Sequence, residues 1–287
     1  MYRSVFLTTL LVGVASATKT PIDSGRLATL ERYAAFASAA YSSNCSVPPY
    51  GSVVENYIDD VATSTQVTLF RYDAYEEYIL SFRGTSDVQD FLTDLDQDLV
   101  SCVAPGLDCS GCSGYLRQYN AVAAQVKTTI DTGMAQHQGY NLTVTGHSMG
   151  GALASLAAAS LAGQGLSPAP YTYGQPRTGD PAYADFVDSL FPGTLYRATH
   201  ANDGVPQIPS QADGYRHHGT EYWQSADPAT IDDTFRCEGQ EPADCNQSEI
   251  GFGIGNGGIG INAAHLEYFG VSIGNPLDPD AACRGIV

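Results

Sequence analysis

Residues 142 to 161, LTVTGHSMGGALASLAAASL, constrain the fold more than any other part of this 287-residue chain. LTVTG reads as a buried strand and SMGGALASLAAASL as a helix. Gly146, His147, Ser148, Met149 and Gly150 join them in a G-x-S-x-G arrangement. A strand that turns so tightly into a helix brings two backbones almost into contact, which requires residues without side chains at the turn. The same turn holds Ser148 outside the sheet, over the positive end of the following helix dipole. Glycine and serine are common, so the pattern alone is weak. Its strand-turn-helix setting marks Ser148 as a candidate nucleophile on a sharp elbow.

The flanking sequence agrees with such a unit. Residues 23–42 have helical apolar spacing, with Asp23 and Ser24 as candidate N-caps. Residues 66–73 and 77–83 read as two strands around an acidic turn, and 115–138 as a long Ala-rich helix stopped by Gly139. APYTYG and TLYRATH are further strands, with a helix at about 180–190 between them. Strands alternating with helices predict an α/β fold: a mostly parallel central sheet with helices on both faces. No repeat or linker divides residues 18–287, so one domain is expected. The glycines of 251–261 lack phosphate-loop spacing and read as an irregular loop.

Thirteen Lys and Arg stand against 31 Asp and Glu, a formal charge of −18. That field repels phosphate backbones, so nucleic acid is not an expected partner. At the N-terminus, Arg3, the apolar residues 5–14 and the Ala15-Ser16-Ala17 site have the order of a signal peptide over residues 1–17. The apolar run is too short to span a bilayer, as is 152–162, so an exported chain without an integral membrane segment is expected. Seven cysteines fit an oxidising compartment. Cys109 and Cys112 lie in CSGC, which reads as a turn-rich loop; Cys237 and Cys245 enclose another loop; Cys45 and Cys283 sit near the two ends. Disulfides suit these pairs and leave Cys102 over. No second ligand pair has zinc spacing, so no metal is expected. Sequons occur at Asn44, Asn141 and Asn246, a short motif with many false positives.

A nucleophilic serine needs a base, and the base an orienting acid; after a nucleophile elbow the order is Ser, Asp or Glu, His. Asp203, just beyond the strand TLYRATH, is the candidate acid. Of six histidines, His137 precedes the elbow, His147 is bonded to its serine and points elsewhere, and His200 precedes the acid. His217 and His218 alternate within RHHGTEYW and read as local, solvent-facing residues. His265, in a later loop, remains as the base. The oxyanion donors are expected at the backbone N–H of Met149 and at Thr85, whose N–H and hydroxyl follow the strand YILSFRG.

SFRGT, GHSMGGALA, YTYGQPRTGD, THANDGVPQIP, YRHHGTEYW and AAHLEYFG, in this order, resemble the filamentous-fungal class 3 lipase family over nearly all of residues 45–283. The resemblance implies an α/β-hydrolase fold, Ser148, Asp203 and His265 as a triad, and Thr85 and Met149 as the oxyanion positions. It also implies disulfides Cys45–Cys283, Cys109–Cys112 and Cys237–Cys245, with no metal or organic cofactor; Cys102 departs from the pattern. The family carries a short helical lid where this chain has residues 86–95. There Val88, Phe91, Leu92 and Leu95 share one helical face. With the signal-like N-terminus, the resemblance leads to the expectation of a secreted ester hydrolase acting on acylglycerols at a lipid–water interface, and a monomer is expected. Its rivals are a feruloyl or other soluble-ester esterase, whose equivalent segment is more polar, and a non-catalytic surface- or carbohydrate-binding module.

Overall fold

The computed structural model describes residues 19–85, 98–249 and 262–284. The expected signal segment 1–17, the lid positions Val88, Phe91, Leu92 and Leu95, and the glycine-rich 251–261 lie outside these residues.

A two-residue strand β1 (Thr20–Pro21) precedes helix α1 (Ser24–Ala39), which begins where the Asp23 carboxylate accepts the Arg26 N–H at 2.7 Å. Strands β2 (Val53–Asp60), β3 (Thr65–Tyr72) and β4 (Glu77–Phe82) then form an antiparallel meander. A hairpin of β5 (Val100–Ala104) and β6 (Leu107–Cys112) leads into α2 (Tyr115–Gln136). β7 (Asn141–His147), α3 (Met149–Gly163), β8 (Pro168–Tyr173), α4 (Pro181–Leu190) and β9 (Tyr196–His200) follow. β10 (Glu221–Gln224) and β11 (Thr234–Cys237) complete the sheet, whose order is β1-β11-β10-β9-β8-β7-β4-β3-β2. The pairs β4–β7, β7–β8, β8–β9 and β9–β10 are parallel, and the outer pairs antiparallel. This is the expected α/β-hydrolase architecture, with antiparallel margins that the alternation of strand and helix did not reveal.

Burial explains the layers. Leu30 and Phe36 of α1 pack with Phe70, Ile79 and Tyr173 on one face of the sheet. Tyr119 and Val126 of α2, Leu153 and Leu156 of α3, and Val187 of α4 pack with Leu80 and Val144 on the other. Every residue of α3 from Met149 to Leu161 is buried. This helix is hydrophobic all round because it lies between the sheet and its neighbours, and each of its leucines contributes about 1.5–3 kcal/mol by burial. Among the described residues no helix is long and apolar enough to cross a membrane. The parallel strands end on one side, so the segments after β4, β7, β8 and β9 converge there.

Two expectations are corrected. CSGC is not a turn-rich loop: Cys109 and Cys112 belong to β6, and Cys102 faces them from β5. The disulfide joins Cys102 to Cys112, with Cα atoms 5.1 Å apart, while Cys109 stands outside the bridges. An extended strand carries its residues away from one another, whereas a hairpin brings the opposite strand within disulfide reach. Cys45–Cys283 and Cys237–Cys245 form as expected. His217 and His218 are also not solvent-facing; both are buried, and the strand begins only at Glu221.

Candidate active site

Ser148 occupies the turn between β7 and α3 at φ 59° and ψ −131°, a left-handed-side conformation that a non-glycine residue adopts at a cost. Its N–H donates to the Tyr173 carbonyl at 2.9 Å, pinning the elbow to β8. The flanking glycines are steric requirements. A Cβ on Gly146 would strike the Gly150 carbonyl, and one on Gly150 would strike the Phe82 carbonyl at the end of β4. The elbow is therefore locked between two neighbouring strands.

Asp203 follows β9 after a turn in which Ala201 has φ 38°. Its carboxylate is fully buried and receives three hydrogen bonds. Oδ2 accepts His265 Nδ1–H at 2.8 Å and the Tyr268 hydroxyl at 2.5 Å, and Oδ1 accepts the Val205 N–H at 2.9 Å. Burial by itself would raise the carboxyl pKa. The adjoining His265 and the donors from His265, Tyr268 and Val205 outweigh it and hold Asp203 below the usual carboxylate value. Burial and the Asp203 charge push the Tyr268 phenol well above its ordinary pKa, so it serves as a donor.

His265 lies in a short 3-10 turn, Ala263–Leu266, capped by the Asn262 side chain. Because a carboxylate only accepts, the His265–Asp203 bond fixes the proton on Nδ1 and leaves the Nε2 lone pair open. Among the described residues, Nε2 of His265 and Oγ of Ser148 are both buried and without a hydrogen-bond partner. Sequence reasoning overlooked Gly174, which follows β8 at φ 53°. A Cβ there would lie 2.9 Å from both Asp203 Oδ2 and His265 Nδ1. Only glycine lets the acid–base pair close over this strand end.

Of the histidines set aside, His147 and His200 hold the loop of His265, while His217 and His218 are buried elsewhere in the fold. His147 does point away from the serine, and its Nε2–H donates to the His265 carbonyl at 2.8 Å while Nδ1 accepts the Tyr41 hydroxyl at 2.8 Å. Burial, then the nearby His265, push its pKa well below the ordinary value, so it is a neutral prop for the base loop. His200 Nδ1–H faces the carbonyls of Ala264 at 2.9 Å and Glu267 at 2.7 Å, on either side of His265. His218 Nε2 lies 3.0 Å from both Ser155 Oγ and Gln175 Nε2, and His217 Nε2–H donates to Pro206 O at 2.7 Å. Burial lowers the His218 pKa to about 3 and that of His217 well below its ordinary value, with Arg197 adding to both. A chain-order rule for triads carries no information on such props, and the sequence offered no other signal for them.

Thr85 follows β4 and Met149 opens α3; the Thr85 hydroxyl donates to the Met149 sulfur at 3.2 Å. Thioether sulfur is a weak acceptor, so the hydroxyl can turn to a stronger one. The first N–H groups of a helix lack intrahelical partners, which puts the Met149 N–H in a position to donate. The Cys102, Cys109 and Cys112 sulfurs lie within 4.8 Å of one another, but a disulfide already uses two of them.

A buried carboxylate–imidazole pair, tied through His147 to a serine on a strained elbow, is an arrangement suited to acyl transfer, and the sheet that carries it is that of the α/β-hydrolase class. Comparison with known proteins narrows that class. Residues 79–212 match the family described as Lipase (class 3). A secreted alkaline triacylglycerol lipase from Penicillium cyclopium is 30% identical over 286 residues, covering 91% of this chain and 94% of that protein. A secreted mono- and diacylglycerol lipase 1 from Fusarium solani is 34% identical over 202 residues; the match covers 69% of this chain but only 57% of the relative's length. Lipase II from Rhizopus niveus superposes with a TM-score of 0.79 at 25% identity, covering 91% of this chain and 100% of that one. The chain belongs to the class 3 lipase family.

Proposed function

We propose that this protein is an exported lipase that cleaves acylglycerol esters, with Ser148 as nucleophile, His265 as base and Asp203 as the orienting acid. The observation that carries the reading is the buried Asp203–His265 bond, which leaves the His265 Nε2 lone pair open, on a loop whose carbonyl is held by His147, the residue before the elbow serine. His265 takes the Ser148 proton as Oγ attacks the ester carbonyl. The Met149 N–H and Thr85 stabilise the oxyanion, and His265 returns the proton to the departing alcohol. Water then attacks the acyl carbon while giving a proton to His265, and His265 passes that proton to Ser148 Oγ as the bond to the acyl group breaks and the acid leaves.

The acylglycerol preference is supported by the Penicillium and Fusarium relatives, and export by the same relatives together with the signal-like residues 1–17. Residues 18–287 are read as one domain, with 86–95 as its lid. When open, Val88, Phe91, Leu92 and Leu95 would present an apolar face to lipid; each large side chain contributes on the order of 2 kcal/mol to that contact. Rates on tributyrin across its solubility limit, set against methyl ferulate, test this reading. The expected result is a sharp rise once tributyrin forms an emulsion, with slow ferulate turnover. Faster ferulate hydrolysis without such a rise would move the protein to the soluble-ester esterases.

A further inference from the structure

Asn246 heads the third sequon, yet it is buried and its carboxamide is already committed. Nδ2 donates one hydrogen to the Ala201 carbonyl at 3.2 Å and the other to the Asp203 carbonyl at 3.1 Å. Both partners are pure acceptors, so the amide can face them only with its nitrogen. The backbone is held too: the Asn246 N–H donates to Glu221 Oε1 at 3.1 Å, and Gln207 Nε2 donates to the Asn246 carbonyl at 3.2 Å. Cys245, the preceding residue, is tied to Cys237 by a disulfide. Asn246 thus links a cross-linked loop to the turn carrying Asp203, a turn strained at Ala201.

We propose that Asn246 is a positioning residue for Asp203, and that in the active enzyme Asn44 and Asn141 are the glycan acceptors while Asn246 is not. This rests on the triad reading given above. Asn44 and Asn141 are both exposed, with room for a sugar. Glycosylation by a lipid-pyrophosphate-linked oligosaccharide joins the sugar's anomeric carbon to Nδ2. The carbon–oxygen bond to the pyrophosphate breaks and Nδ2 loses one proton. At Asn246 that step would remove a hydrogen the Asp203 turn uses and force a sugar into the interior.

The test has two parts. Glycopeptide mass spectrometry of the secreted, active protein should find sugar at Asn44 and Asn141, and residue 246 bare. A glycan on Asn246, or bare residues at both exposed sites, overturns that part. Separately, Asn246→Asp exchanges the donor nitrogen for oxygen. It should lower kcat on a dissolved ester by roughly 10- to 100-fold while KM stays within about twofold, because the acid is misplaced and substrate contacts are not. In an Asp203→Asn background the same change should cost almost nothing, since an interaction that acts through Asp203 is already lost. Ser248→Ala abolishes the sequon but keeps the amide, and should retain full kcat. Equal losses in both backgrounds, or a loss reproduced by Ser248→Ala, contradict the positioning role. If Asn246→Asp is not secreted, Asn246→Ser, which keeps one donor, goes through the same cycle. Undiminished kcat in Asp203→Asn alone would instead sink the triad reading.

Discussion

At the scale of single residues, the site is defined as much by absent side chains as by present ones. Gly146 and Gly150 admit the elbow, and Gly174 admits the Asp203–His265 pair. Gly174→Ala is therefore predicted to act on chemistry. Its new methyl would sit 2.9 Å from the reacting pair, at a φ of 53° that costs an L-residue about 1–2 kcal/mol. Displacement of the pair by even 1 Å can lower a rate by about 10²-fold. We expect kcat to fall by that order with a smaller change in KM; an unchanged kcat would show that the pair has slack at this point. The elbow at Ser148 and the pairing of Asp203 with His265 were legible in the sequence because the G-x-S-x-G turn and the Ser-Asp-His chain order are short, rigid rules. Gly174 was not, since a lone glycine at a strand end reads as an ordinary turn until the strand's neighbours are known. His217 and His218 were misread for the same reason, for their burial is imposed by Arg197, Ser155 and Pro206, which come from distant segments.

At the scale of elements, helices and long apolar strands were legible, and short or half-exposed strands were not. β7, α3 and β8 are buried along nearly their whole length, so composition alone marks them. β2 has a mixed, half-exposed pattern at the sheet edge and went unnoticed. The β5–β6 hairpin was hidden because Gly and Ser in CSGC favour turns, while the pairing that makes it a strand comes from β5. This hairpin yields a prediction about covalent structure. Peptide mapping of the unreduced protein, with thiols blocked beforehand, should link Cys102 to Cys112. A Cys109–Cys112 link would mean that the segment folds as a loop.

At the scale of the whole molecule, burial makes the fold sensitive to acid. His147, His217 and His218 are buried and held neutral, with pKa values depressed by desolvation first. Below pH 6.5, the usual imidazole value, the unfolded chain binds protons that the folded chain refuses, so stability is lost as pH falls. Between pH 7 and 5.5 this amounts to about 1 kcal/mol per histidine, or about 3–4 kcal/mol together. Glu77 and Asp188, raised by burial, act in the opposite sense, but mainly at lower pH, around carboxylate titration. Asp203, whose pKa is depressed, adds a loss only at still lower pH. Calorimetry should therefore show Tm falling from pH 7 to 5.5, and a flat or rising Tm would contradict the neutral burial of these rings.

The fold bonds His265 to Asp203 and its carbonyl to His147, the neighbour of Ser148, and the proposed hydrolysis requires residues 148, 203 and 265 to act as one reactive centre. The most direct measurement is the intact mass and peptide map of the protein after treatment with an organophosphate ester. One adduct per chain is expected, located on Ser148. Labelling should vanish in Ser148→Ala and slow by several decades, on the order of 10⁴, in His265→Ala, while His217→Ala and His218→Ala keep rapid labelling. Labelling elsewhere, or rapid labelling of Ser148 without His265, would contradict a single centre built from these three residues.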